Sequence, residues 1–93
     1  MTTIEMKFSF KAINELIELT KCKLEDIGTL ASDFSKIAII AHVGNKHAGG
    51  ALSIEEIENI LDKEDFKTVL SIATEYGKQM KDYFPPNETS QAQ

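Results

Sequence analysis

The stretch that decides the fold is Leu52-Ser53-Ile54-Glu55-Glu56-Ile57-Glu58-Asn59-Ile60-Leu61-Asp62. Ser53 and Glu56 form a capping box: the hydroxyl accepts from the N–H at the third helical position, and the carboxylate returns to the cap's own N–H. Leu52, just before the cap, and Ile57, at the fourth helical position, are placed to close as a hydrophobic staple. Ile54, Ile57, Ile60 and Leu61 then share one face, while Glu55, Glu56 and Glu58 take the remainder and sit in the positive first turns. The segment predicts an amphipathic helix that must bury its isoleucine face against a neighbour. The Gly49-Gly50 pair ahead of it also suggests a calcium loop. Setting either glycine at the obligatory loop position puts Asn45, His47 and Gly49, or Gly44, Lys46 and Ala48, where ligands belong. Neither set supplies the carboxylates a hard cation needs, so the calcium reading is rejected.

Beyond this helix, Asp62-Lys63-Glu64-Asp65 is a polar break with Asp65 placed to cap the next helix. Phe66, Val69, Leu70, Ala73, Tyr76 or Gly77, Met80 and Phe84 recur at three- and four-residue spacings, predicting a helix of about five turns that stops before Pro85-Pro86. Gly77 in its middle costs about 1 kcal/mol against alanine and so marks a close helix contact or a bend. Residues 86–93 hold no apolar side chain larger than alanine, which makes 85–93 a disordered tail after a helical domain spanning 1–84.

On the other side of the loop Asn45–Gly50, Ser32 or Asp33 is placed to cap a helix from Phe34 to about Val43, which Gly44-Asn45 is expected to stop. Ile37, Ala38, Ile39, Ile40 and Ala41 are apolar in succession and cover more of the circumference than a surface helix needs. Such a helix is either walled in by its neighbours or gives one face to the core and another to a partner. Earlier still, Leu24, Ile27 and Leu30 mark a short helix containing Gly28. Ile13, Leu16 and Ile17 form one face of a helix from Phe10 to about Thr20. Before it, Ile4, Met6, Phe8 and Phe10 alternate with Glu5, Lys7 and Ser9, the period of a strand or extended arm over 3–9. A lone strand must lie on the helices, pair with another chain or form a local hairpin, and packing on the helices is the favoured outcome. The fold expected is mainly α: a single small domain of about five helices with a short N-terminal strand or extended arm.

Composition narrows the function. The 93 residues carry 15 acidic side chains against 10 lysines, with no arginine, for a net charge of −5. Nucleic-acid binders cluster Lys and Arg, so that role is not expected, and no glycine-rich phosphate loop supports phosphoryl transfer. No run of about 18 apolar residues suggests a membrane span. Cys22 is the single cysteine and cannot form an intramolecular disulfide. His42 and His47 lack metal-ligand spacing, and the carboxylates fall on the outer faces of the helices without a definable acid/base pair. No enzyme, metal or cofactor is expected.

Three segments carry a resemblance. The alternating Met6-Lys7-Phe8-Ser9-Phe10-Lys11, then Ile13-Asn14-Glu15-Leu16-Ile17-Glu18-Leu19-Thr20-Lys21, then Leu52 to Asp62 with Phe66-Lys67-Thr68-Val69-Leu70 after it, are similar to the small tail assembly chaperones of long-tailed phages and prophages of Gram-positive bacteria. In that family the first helix resembles one ending in E-x-T-G-K, here Leu19-Thr20-Lys21-Cys22-Lys23, so Cys22 departs from the glycine. The later helix resembles L-T-x-E-E-V-x-x-L-L-D. The match runs from about Met6 to Ala73 and rests mainly on capping and packing patterns. The resemblance implies a protein of the host cytoplasm, not expected in the mature virion. It would bind the tape measure protein, keep that long helical chain soluble and deliver it for assembly of the tail tube, with the tail tube protein a further candidate partner. Many such families also make a longer, frameshifted product. An acidic helical domain with surplus apolar surface suits this role, because it can cover amphipathic segments while its charge opposes self-association. The candidate groove joins the Ile37–Val43 helix to the far end of the last helix, with Ile37, Ile40, Val43, Met80, Tyr83 and Phe84 as partner-binding residues. Strand exchange through the N-terminal arm would give a homo-oligomer. The competing reading is a small acidic phage-encoded regulator or inhibitor that binds a host protein.

Overall fold

The computed structural model describes residues 4–83, so the expected tail 85–93 and Phe84 lie outside the described residues. The protein is mainly α. Four α-helices follow in order: α1 Phe10–Thr20, α2 Ile37–His47, α3 Ile54–Lys63 and α4 Phe66–Tyr83. Two 3-10 segments, Leu24–Ser32 and Phe34–Lys36, fill the span between α1 and α2. Among the described residues there is no strand, and residues 4–9 form an extended arm that leads into α1.

The arm explains the period of two. Ile4 and Phe8 are buried, Met6 is half-buried, and Glu5 and Lys7 face out. An extended segment presents backbone donors and acceptors along both edges, and each must find a partner. On one edge the Gln79 side-chain amide of α4 serves two groups, its Oε1 accepting from Phe8 N–H and its Nε2 donating to Met6 C=O, each at 2.9 Å. On the other, Lys7 N–H donates to the Gly44 carbonyl of α2 at 2.9 Å, and Asn45 Nδ2 donates to Glu5 C=O at 3.1 Å. Helix side chains and one helix carbonyl thus replace the neighbouring strands.

α2 is the central helix, packed on α1, α3, α4 and the short segment Phe34–Lys36. It does not stop at Gly44-Asn45 as expected but runs one turn further, to His47, and the turn beyond it is made by Gly49 at φ 96°. Gly44 is a packing glycine and not a terminator: a Cβ there would lie 2.6 Å from Phe8 Cζ and 2.7 Å from Met6 Cβ, so its bare backbone lets the arm cross. Asn45 is buried and also accepts from Leu52 N–H at 3.1 Å through Oδ1, joining the arm to the loop ahead of α3. His42 Nδ1 donates to the Leu52 carbonyl at 2.8 Å, which fixes the ring proton on Nδ1.

α3 starts as read. Glu56 N–H donates to Ser53 Oγ at 3.0 Å, Ser53 N–H donates to Glu56 Oε1 at 2.8 Å, and Ile57 is fully buried. The segment Leu24–Ser32 departs from the expected α-helix. Its apolar residues Leu24, Ile27 and Leu30 recur every third position, and a strict period of three stays in line on a 3-10 helix but drifts around an α-helix. Tyr76 clamps this segment: its hydroxyl donates to the Ile27 carbonyl while its ring meets Phe8 edge-on at 5.0 Å. Burial pushes the Tyr76 phenol well above its ordinary pKa. On α4, Val69, Ile72, Tyr76 and Met80 face the core, whereas Phe66 and Leu70, expected inside, are exposed. Lys21 closes α1 in the left-handed conformation at φ 59°, one residue before the Cys22 position where the resemblance would set glycine.

Urea unfolding should separate two glycines. Gly44→Ala is expected to destabilise by roughly 1–3 kcal/mol through the clash with the arm. Gly77→Ala should stabilise by up to about 1 kcal/mol, because nothing lies within 4 Å of a Cβ at that helical position. Asn45→Ala, which strands the Glu5 carbonyl and the Leu52 amide, is expected to cost roughly 2 kcal/mol or more.

Candidate partner-binding surface

Two aspartate–phenylalanine pairs build the most distinctive surface. Asp33 caps the segment Phe34–Lys36, its Oδ1 accepting from Ser35 Oγ at 2.7 Å and from Ser35 N–H at 3.1 Å. These bonds hold the Asp33 carboxyl below its ordinary value, the hydroxyl contact contributing most. Asp65 caps α4 in the same manner, accepting from Lys67 N–H at 3.0 Å. The residue after each aspartate is a phenylalanine, and the two rings stack with centroids 6.3 Å apart and planes 12° from parallel. Phe34 is nonetheless 68% exposed and Phe66 59% exposed. An aromatic pair held in place by two helix caps yet open to water is a ready anchor for a partner.

The pair forms one wall of an open groove of about 580 Å³, floored by Ile37, Ala38, Leu61 and Val69. Glu55, Glu58 and Asp62 line it as well, with Glu64 and Asp65, which accept from Thr68 Oγ1 and Lys67 N–H; no described lysine does. Glu55, Glu58 and Asp62 stand at i, i+3 and i+7 on α3, a single stripe about 10 Å long. Among the described residues Glu55, Glu58 and Asp62 make no ion pair, whereas Glu15 pairs with Lys46 and His47 at the far end of α2.

The residues expected from the sequence to bind a partner lie elsewhere. Ile37, Ile40, Val43 and Met80 are core residues, 3%, 0%, 0% and 4% exposed, because α2 is enclosed by its neighbours and α4 lays Met80 inward. Only Ile37 borders the groove, at its floor. The Tyr83 side chain and Phe84 lie outside the described residues. Phe34 and Phe66 were missed because an apolar residue at the start of a helix reads as core; the signal that could have found them is the repeated Asp-Phe at two capping positions.

Both histidines serve the fold. His47 Nε2 donates to Glu15 Oε1 at 2.9 Å and Lys46 Nζ to Glu15 Oε2 at 3.1 Å, tying the end of α2 to α1. Among the described residues no group of three or more His, Cys, Asp or Glu side chains is placed to hold a metal ion. No described helix is long and apolar enough to cross a membrane. The hydrogen bond from His47 keeps the Glu15 carboxyl below its ordinary value; burial opposes it, and the hydrogen bond and charge of Lys46 add to the lowering. A carboxyl depressed in the folded state adds stability that is present above its unfolded titration and lost as pH falls through its folded titration. Glu15→Gln is therefore expected to lower stability at about pH 7 by roughly 0.5–1 kcal/mol. That difference should narrow as pH falls from about 7 through the carboxylate range, as urea midpoints measured across it would show.

Compared with protein families, characterised proteins and solved structures, the chain matches none.

Proposed function

We propose that this protein is a phage or prophage tail assembly chaperone that binds the tape measure protein in the host cytoplasm, holds it soluble and hands it to the growing tail tube. The reading rests on the resemblance of the segments between Met6 and Ala73. The observation that carries it further is physical. A small acidic helical domain leaves Phe10, Leu19, Leu24, Phe34, Phe66 and Leu70 exposed. Apolar side chains in such number on so small a domain suit a protein that covers the apolar stripes of another chain, and the surplus of acidic charge keeps its own copies apart. Transient cover of a long amphipathic helix needs many shallow contacts more than one deep pocket.

The test is co-expression with the long helical protein encoded beside it, followed by size exclusion with light scattering. The expected outcome is that the long protein is soluble only in the presence of this chain and that the two elute together with many copies of the small protein per long one. A long protein that stays insoluble, or is soluble unaided, would overturn the chaperone reading. A stable equimolar complex with a host protein, independent of tail proteins, would favour the inhibitor instead.

A further inference from the structure

We propose that the groove between α3 and the Phe34–Phe66 pair is the docking site for a cationic amphipathic helix, with the stacked rings taking its apolar ridge and the α3 stripe taking its lysines or arginines. The inference rests on the chaperone reading in one respect: that the natural partner is helical. Three features of the groove select this occupant. First, its charge is one-sided: Glu55, Glu58 and Asp62 line it and no described lysine does, in a chain that has 10 lysines to distribute. An anionic or neutral occupant would leave Glu55, Glu58 and Asp62 facing like charge or dry surface, whereas a basic helix neutralises them. Second, the carboxylates of Glu55, Glu58 and Asp62 repeat with helical spacing, so a helix lying alongside α3 can oppose them with cations at the same spacing. Third, the aromatic anchor is already assembled: each ring sits on a capped helix start, so binding orders little that is not ordered beforehand.

A second copy of this chain fits the groove poorly, since copies with net charge −5 repel and the chain contains no arginine. Leu24, exposed beside a different hollow formed with Gly28, Gly77 and Met80, serves as a control for generic apolar contact because that hollow lacks the acidic stripe.

The probe is a synthetic 18-residue helical peptide with leucine at i, i+3, i+4 and i+7 and lysine at the remaining positions. It is compared with the same peptide carrying glutamate for lysine and with a shuffled peptide of identical composition. Fluorescence anisotropy is expected to show binding of the lysine peptide alone, weakened about tenfold by Phe34→Ser together with Phe66→Ser. Glu58→Gln with Asp62→Gln should also weaken it, with a shallower salt dependence, and Leu24→Ser should leave it unchanged. All the substituted side chains are exposed, and circular dichroism is the check that each variant is folded. The proposal is overturned if the peptide does not bind, if the shuffled peptide binds equally, if Leu24→Ser weakens binding as much as the aromatic pair does, or if light scattering shows the groove occupied by a second copy. The two readings separate cleanly. Solubilisation of the long partner that survives the loss of both phenylalanines would remove the groove and keep the chaperone, whereas peptide binding without solubilisation would remove the chaperone and keep the groove.

Discussion

The structure depends on how an extended arm is accommodated without a sheet. Residues 4–9 cannot cross buried surface with their amides and carbonyls unpaired, and such orphans cost about 1–3 kcal/mol each. Gln79, Gly44 and Asn45 meet four of those groups from two different helices. Each helix is thereby placed by hydrogen-bond geometry as well as by packing. α2 must present a residue without a side chain where the arm passes, and α4 must align its amide with alternate residues of the arm. The ring of Tyr76, pinned between Phe8 and the Ile27 carbonyl, transfers the same alignment to the 3-10 segment. The loop ahead of α3 is tied to the same point by the other end of the Asn45 amide.

How much the sequence discloses depends on whether the signal is local. The capping box of Ser53 and Glu56, the Asp65 cap, the inward face of α1 and the alternation of the arm from Ile4 to Phe8 are relations among near neighbours, and each stands in the structure; Phe10, which continues the alternation in sequence, instead starts α1 and faces solvent. Gly44-Asn45 was misread because a glycine that ends a helix and a glycine that admits a crossing chain have the same one-letter context; only the arm, 37 residues earlier in the Lys7–Gly44 contact, tells them apart. The run of apolar residues in α2 reads as a helix either walled in or shared with a partner; the structure encloses it, and which neighbours do so depends on where α1, α3 and α4 come to rest. Leu24, Ile27 and Leu30 did carry a legible mark, a spacing of three in place of alternating threes and fours.

The candidate surface shows the converse. Phe34 and Phe66 are 32 residues apart, and nothing in either local context says that their rings will stack. What places them is the return of α4 along α2, which brings the two capped starts side by side. The acidic stripe beside them overlaps the feature that made α3 recognisable: of its glutamates at the positive end and outer face, Glu55 and Glu58 line the groove while Glu56 closes the cap. Stability and recognition therefore draw on the same residues of α3, and a sequence signal first read as helix formation also describes a charged wall.

The arm also imposes an order in time. The bonds from Gln79 to Met6 and Phe8 join residues 73 and 71 positions apart. At a translation rate of about 5–20 residues per second, roughly 4–14 s pass between synthesis of the arm and of the amide that seals it. Over that interval the edge carrying Phe8 N–H and Met6 C=O lacks its partner, and an unpaired edge is a template for pairing with another chain. The single glutamine late in α4 thus acts as a closing latch. A newly made copy becomes safe from its siblings only when almost all of the described chain has emerged.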